Sequence, residues 1–164
     1  MLLKVEKGFV MGLDMYLSGK RYLSKYFDKD DSEKIAKIND VFSVEGDEDG
    51  DYGAQEVTFR LAYWRKANAI HDWFVRNCQD GVDECQESHV SREQLQNLID
   101  ICKQVIKSPK KAETLLPTRS GFFFGNTTYD EWYKADLEYT VQRFEKILKD
   151  PALAKCDFYY QSSW

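Results

Sequence analysis

The sequence lacks any long apolar run. Its 164 residues contain no uninterrupted stretch of about 18 apolar residues, the length that a membrane-crossing helix needs. The first residues, MLLKVEKGFVMGLDMYL, carry too much charge and too little apolar content for a signal peptide. We therefore predict a protein that has no membrane span and no signal peptide, and we expect no membrane among its partners.

Positive charge is also in short supply. The chain has 23 Lys and Arg against 28 Asp and Glu, a formal net charge of −5. Non-specific nucleic-acid binding depends on neutralising phosphates with cations, so this balance argues against it. The length suits one domain with a sizeable core. We predict a single domain over residues 11–164, and a loosely attached extension over residues 1–10 because Met11 offers a second start.

Several chemical motifs are missing as well. The four cysteines (Cys78, Cys85, Cys102 and Cys156) have no CxxC spacing, which argues against a structural zinc site and indicates free thiols in a reducing compartment. No Gly-x-Ser-x-Gly elbow occurs, and the glycines around Phe122–Phe124 are not followed by the lysine of a phosphate-binding loop. The sequence therefore names no reaction and no cofactor, and a non-enzymatic protein is favoured.

What is present is a definite order of strand and helix patterns. Alternating apolar residues predict strands at GLDMYL, at EVTFRL and at the C-terminal DFYYQSSW. Residues 31–42 predict a short helix, and three main helices are predicted to begin at Tyr63, Ser91 and Thr128. Ser91 and Thr128 each have Gln or Glu three residues later, the spacing of a capping box. The order predicts an α+β fold: a small, mainly antiparallel sheet of N-terminal, central and C-terminal strands with three main helices packed on one face.

The acidic stretch EGDEDGDYGAQE resembles a calcium-binding loop. Glu45, Asp47, Asp49 and Glu56 occupy the positions of EF-hand ligands, with Gly50 at the turn. However, the first ligand is Glu where Asp is required, and Glu56 opens a strand pattern where an EF-hand continues as a helix. A solvated hairpin loop is therefore favoured over a metal site.

The stretch YWRKANAIHDWF predicts a polar surface on a helix. Helical spacing would make Trp64, Asn68 and His71 neighbours, with Arg65 beside them. We predict that this surface contacts a ligand. Two alternatives remain open for the histidine: it is a satisfied side chain beside the core, or it is a general base that acts with a carboxylate such as Asp14.

The stretch TRSGFFFGNTTYDEWY combines three phenylalanines with small polar groups. Phe122–Phe124 are predicted to run through the core as a strand. Arg119 and Ser120 on one side, and Asn126 and Thr127 on the other, are predicted to seat an anion at the N-terminus of the following helix. Gln161 and Ser162, near the chain end, are uncharged hydrogen-bonding residues of the kind that line polar pockets.

Six sequence blocks follow one another along the chain: MGLDMYL (11–17), YWRKANAIHDWF (63–74), VSREQL (90–95), LLPTRSGFFFG (115–125), YDEWY (129–133) and DFYYQSSW (157–164). Together they resemble a family of small bacteriophage and prophage proteins of unassigned function. The resemblance implies a setting, the cytoplasm of the bacterial host, and no activity. It also fits residues 1–10 as an extension, because they lie outside the matching blocks.

Three functional hypotheses follow. The leading one is a non-enzymatic phage accessory protein that binds a small anionic, nucleotide-like ligand, such as a host defence signal that it would sequester. The first alternative is a protein–protein inhibitor of a host defence or metabolic enzyme, acting through the acidic loop and exposed aromatics. The second is a hydrolase that depends on His71. The predicted ligand-binding residues are Trp64, Arg65, Asn68, His71, Arg119, Ser120, Asn126, Thr127, Gln161 and Ser162.

Overall fold

The computed structural model describes residues 12–46 and 52–164 and contains one four-stranded sheet. All neighbouring strands are antiparallel, and their order across the sheet is β2-β1-β4-β3. This confirms the predicted α+β class with a small antiparallel sheet. The predicted extension, residues 1–10, lies outside the described residues. The strands are β1 (Asp14–Tyr22), β2 (Glu56–Arg65), β3 (Ser88–Val90) and β4 (Asp157–Ser163).

Five α-helices connect the strands within the described part of the chain. The helix that begins after Ser91 has the predicted capping box, because the Ser91 hydroxyl accepts from the Gln94 N–H at 3.1 Å and the Gln94 amide accepts from the Ser91 N–H at 2.8 Å. None of the described helices combines the length and the apolar composition that a bilayer crossing requires. The helices are α1 (Asp31–Phe42), α2 (Asn68–Cys78), α3 (Arg92–Lys107), α4 (Ala112–Leu115) and α5 (Glu131–Lys149).

The alternation of each strand decides which face the helices cover. Met15 and Leu17 of β1, and Phe158 and Tyr160 of β4, are fully buried, whereas the residues between them are more exposed. Tyr160 stacks face to face on Phe74 of α2, with ring centroids 4.0 Å apart. The buried face of the sheet therefore packs against the helices, and α2 lies at the centre of that contact.

The predicted start of the second helix at Tyr63 is wrong. The residues there belong to β2, where Tyr63 pairs with Tyr16 and Trp64 pairs with Met15. Lys66 then takes a left-handed backbone conformation (φ 60°), which ends the strand, and α2 begins two residues later. Trp64 therefore lies on a strand rather than on a helical surface with Asn68 and His71.

The predicted core strand over Phe122–Phe124 is also wrong. The segment forms a tight turn, in which the Phe124 N–H donates to the Gly121 carbonyl at 3.2 Å and Gly125 adopts φ 83°. Phe124 is 9% exposed and packs in the core, whereas Phe122 is 95% exposed. A turn directs successive side chains differently, so only one of the three rings is fully inserted.

Candidate functional site

A cleft of about 280 Å³ lies where three parts of the chain meet. Its walls are the turn between β2 and α2 (residues 65–70), parts of the segment from residue 118 to residue 130, and the first two turns of α5 as far as Leu137. Of the predicted ligand-binding residues, Arg65, Asn68 and Asn126 line it. The other predicted residues lie elsewhere.

Lys66 is held in the cleft wall by an unusual local structure. Its left-handed backbone is anchored by a 2.7 Å hydrogen bond from its N–H to the Leu13 carbonyl. Two glycines flank its side chain: a Cβ added at Gly12 would lie 3.2 Å from Lys66 Cε, and one added at Gly125 would lie 3.1 Å from Lys66 Cβ. A non-glycine residue in this conformation is strained, and such residues concentrate at functional sites. Its ammonium forms no ion pair with any described carboxylate.

Asn68 is buried and joins α2 to the segment that carries the phenylalanines. Its Nδ2 donates to the carbonyls of Phe124 (3.0 Å) and Asn126 (2.9 Å), and its Oδ1 accepts from the Arg119 N–H at 2.9 Å. Both amide hydrogens are thus used within the protein. Asn68 shapes the cleft and leaves no donor for a ligand.

Arg119 is engaged outside the cleft. Its guanidinium donates to the Asp72 carboxylate at 2.6 Å, and Arg76 donates to the other oxygen of the same carboxylate at 2.7 Å. Arg119 and Ser120 border a separate hollow beside Phe122 and Trp164. The structure therefore does not bring Arg119 together with the cations of the cleft.

The N-terminus of α5 is capped by Asp130, and the predicted capping box at Thr128 is wrong. The Asp130 carboxylate accepts from the backbone N–H groups of Trp132 (3.0 Å) and Tyr133 (3.1 Å), and also from the Asn126 amide and the Thr128 hydroxyl. The Tyr133 hydrogen bond, followed by that of Thr128, holds the pKa of Asp130 below its usual value. The predicted anion seat therefore already contains a carboxylate of the protein.

Asp136 and Trp132 form the α5 wall of the cleft. Burial raises the pKa of the Asp136 carboxyl to about 6, and the nearby charge of Asp130 adds to this effect. Within the described residues, that carboxyl has no hydrogen-bond donor. Trp132 lies one helical turn earlier, and its indole is 80% exposed.

His71 is enclosed in the core. Its Nδ1 lies 2.7 Å from the Tyr160 hydroxyl, and its Nε2 lies 2.9 Å from the Asp83 carboxylate. Because the Asp83 carboxylate accepts, the neutral imidazole carries its proton on Nε2 and accepts at Nδ1 from the Tyr160 hydroxyl, whose pKa is raised well above its usual value by burial. Asp14, the predicted partner, instead accepts from the Tyr63 hydroxyl. This arrangement corresponds to the alternative of a histidine whose ring nitrogens are both hydrogen-bonded within the protein.

Most of the other predicted ligand contacts are also used within the fold. Trp64 is 2% exposed, and its indole N–H donates to the Thr140 hydroxyl at 2.9 Å. The Gln161 amide donates to the Cys85 carbonyl at 3.1 Å. The Ser162 hydroxyl is buried without a partner among the described residues, and the carbonyl of Thr127 accepts from Thr118. These residues do not line the cleft.

The described residues provide no cluster for a metal ion. No group of three or more His, Cys, Asp or Glu side chains within residues 12–46 and 52–164 is arranged to ligate one. Of the EF-hand-like residues, Glu45 is exposed and Glu56 begins β2, whereas Asp47 and Asp49 lie outside the described residues. All four cysteines are free thiols, and burial raises the pKa of both Cys78 and Cys102 to about 12.

The sequence interpretation missed Lys66, Trp132 and Asp136. The conformation of Lys66 could not be predicted from the sequence. A left-handed residue is usually recognised by a glycine, and this position holds a lysine. Trp132 and Asp136 did offer a signal in their spacing of four residues on a helix, which places an aromatic ring beside a carboxyl. Trp132 lies before the buried apolar series of α5, which begins at Leu137.

Comparison with protein-family models, with curated proteins and with solved structures finds no match. The resemblance to small bacteriophage proteins therefore stays a prediction. The functional reading of the chain rests on the chemistry of the cleft.

Proposed function

We propose that this protein binds a small, planar, anionic ligand of the nucleotide class in the cleft between α2 and α5, without turning it over. The observation that carries the proposal is the distribution of hydrogen-bond partners along the cleft. Most of its polar side chains are hydrogen-bonded within the protein. The Asp136 carboxyl is not, and the Lys66 ammonium forms no ion pair with a described carboxylate.

The satisfied groups form the frame of the cleft. Asn68, Asn126 and Thr128 all use their side chains within the protein, and Asp130 caps α5. The Tyr133 hydroxyl donates to the Leu116 carbonyl at 2.8 Å. These interactions fix the walls, so the cleft is preorganised and a ligand would not need to order it.

The remaining groups define what a ligand must supply. Lys66 is exposed at the cleft wall and offers its ammonium to an anion, and Arg65, which also interacts within the protein, adds positive charge to the same wall. The Asp136 carboxyl requires a hydrogen-bond donor. The exposed indole of Trp132 offers a flat apolar surface on which a ring can stack. A nucleotide provides all three complements, as phosphate, base edge and base face.

The size of the cleft limits the ligand. Its volume of about 280 Å³ lies at the lower end of the range for small-molecule sites. A mononucleotide with its phosphate partly in solvent suits this volume, whereas a dinucleotide would extend beyond it. Binding without turnover fits the sequestration hypothesis, because His71, the predicted general base, is enclosed in the core.

The test is titration calorimetry with a panel of nucleoside monophosphates. We expect Lys66→Ala and Trp132→Ala each to weaken binding at least tenfold, since one removes the charge-assisted contact and the other the stacking surface. Lys110→Ala and Phe27→Ala are the matched controls, because both side chains are exposed on other parts of the surface. Failure of every monophosphate to bind at millimolar concentration, or unchanged binding by both cleft variants, would overturn the proposal.

A second candidate is the protein–protein inhibitor, which we propose from the surface around α1. Only Asp31 of this helix is buried, whereas Phe27, which precedes the helix, and Phe42, its last residue, are 89% and 74% exposed. A short helix that buries so little of its surface is marginal in water, so a partner that covered it would stabilise it. Phe27→Ser with Phe42→Ser should abolish capture of a host protein that wild type retains, and unchanged capture would remove this candidate.

A further inference from the structure

Resting on the proposed function, we infer that Asp136 makes the cleft selective for a base that presents two adjacent hydrogen-bond donors, as guanine does. The inference concerns which nucleotide binds rather than whether one does. It depends on the position of one carboxyl and on its relation to the two walls of the cleft.

The first step is that Asp136 is an acceptor without a donor. It lies in the cleft wall in a half-buried position, and no described group donates to its carboxyl. The neighbouring carboxylate, Asp130, is different because backbone and side-chain donors surround it. A half-buried carboxylate gains most from a ligand that donates to both of its oxygens.

The second step concerns the groups that face Asp136. On α5, the charge of Asp130 acts on Asp136 and repels a second negative charge, and the Tyr133 hydroxyl in the same cleft wall donates to Leu116. The cations Arg65 and Lys66 belong to the opposite wall, the turn between β2 and α2. A nucleotide that extends from one wall to the other therefore directs its phosphate toward the cations and its base toward Asp136.

The third step compares the edges of the four bases. Guanine presents an imino N–H beside an exocyclic amino group, and these two parallel donors match the two oxygens of a carboxylate. Adenine and cytosine each present an amino group beside an acceptor nitrogen, and uracil presents its imino group between two carbonyls. These three bases would direct a lone pair at the carboxylate, so Asp136 disfavours them.

The fourth step is the position of Trp132. The ring and the carboxyl are separated by one turn on the same face of α5. A base stacked on the indole therefore directs its edge along the helix toward the carboxyl. Stacking accepts any base, so the choice among bases falls to the carboxyl.

The experiment is calorimetry at pH 7.5 with guanosine, inosine and adenosine monophosphates and with L-arginine. We expect wild type to prefer guanosine over adenosine monophosphate by roughly 5- to 150-fold, the range for one bidentate pair. Inosine monophosphate, which lacks the exocyclic amino group, should fall between them. Asp136→Asn should remove the preference, and Glu138→Gln, two residues further along α5 and outside the cleft lining, beside the exposed Lys134, should retain it.

The outcomes separate this inference from the proposed function. Equal affinity for guanosine and adenosine monophosphates, or a preference that survives Asp136→Asn, overturns the inference and leaves nucleotide binding intact. Tighter binding of L-arginine, whose guanidinium presents the same two donors without a base, overturns both. The wild-type panel alone decides the question if a variant fails to fold. Lowering the pH from 7.5 to 5 should also reduce the guanosine preference of the wild type. The Glu138→Gln variant should lose its preference to the same extent.

Discussion

Trp132 and Asp136 lie one turn apart on α5, so an exposed indole ring and a half-buried carboxyl share one wall of the cleft. Neither side chain contributes a contact on which the fold visibly depends. The ring has lost little of its exposure, and the carboxyl has been partly desolvated without gaining a donor. The carboxyl therefore costs stability in its ionised form and the ring adds none, which is the behaviour expected of groups that serve a ligand.

The first prediction is that Asp136→Asn stabilises the protein at neutral pH. Because the pKa of Asp136 rises from its usual 3.8 to about 6, the folded state favours the protonated carboxyl. The penalty for ionisation is absent below about pH 4, grows between pH 4 and 6, and is complete above that. We expect a gain of up to about 2 kcal/mol at pH 7.5 after solvent screening, vanishing near pH 4. Urea unfolding at both pH values measures this, with Glu138→Gln as the control, and an equal gain at both would contradict it.

The second prediction concerns the link between α2 and the phenylalanine turn. Asn68→Ala leaves the Phe124 and Asn126 carbonyls and the Arg119 N–H without their partner. We expect a loss of about 2–4 kcal/mol in unfolding free energy, because several buried polar groups become unsatisfied together. Asn77→Ala, which removes a single bond to the Trp73 carbonyl, should cost about 1 kcal/mol or less. Similar losses for the two variants in chemical denaturation would count against the link.

The third prediction separates the phenylalanines. Phe124→Ala should reduce the unfolding free energy by about 3 kcal/mol or more, because this ring packs in the core against the His71 ring with centroids 5.0 Å apart. Phe122→Ala should change it by less than about 0.5 kcal/mol, since that side chain is exposed. The same thermal or chemical melt measures both variants. Comparable losses would mean that the turn is not formed as described.

The fourth prediction concerns the enclosed histidine. Tyr160→Phe keeps the stacked ring over Phe74 but removes the only donor to His71 Nδ1 within the described residues. A buried acceptor without a donor costs about 1–3 kcal/mol, and we expect a destabilisation of that size. Tyr159→Phe, on the open face of the sheet, is the control and should have little effect. If both variants melt together with wild type, the buried hydrogen bond contributes nothing.

Local patterns in the sequence predicted much of the fold. Strand alternation located β1, β2 and β4, and the capping box located the start of α3 at the predicted residue. Both patterns depend on neighbours a few residues apart. β3 has only three residues, Ser88–Val90, which is too short for alternation to register, and it is stabilised by pairing with β4.

The candidate site was less predictable because it depends on non-local contacts. Nothing near Tyr63 distinguishes a strand that continues to Arg65 from a helix that has begun, since the pairing with β1 decides it. Arg119 appeared free to contact an anion until the fold brought Asp72 beside it. From its residue type alone, Asp136 would be expected at the surface. It becomes half-buried only when α5 packs beside the turn after β2. The sequence thus does not show which of these side chains are buried or which groups they contact.

The position of β4 has a consequence for synthesis of the chain. It is formed by residues 157–163, yet it lies between β1 and β3 and is the strand to which β3 pairs in the described structure. While the chain emerges from the ribosome, β1 and β2 can pair. β3 cannot pair until β4 has been translated, about seventy residues later. The buried face of the sheet is complete only after β4 has inserted between β1 and β3. A nascent chain stopped before residue 157 would therefore expose one edge of β1 and an unpaired β3, which invites association with other chains rather than a smaller folded unit.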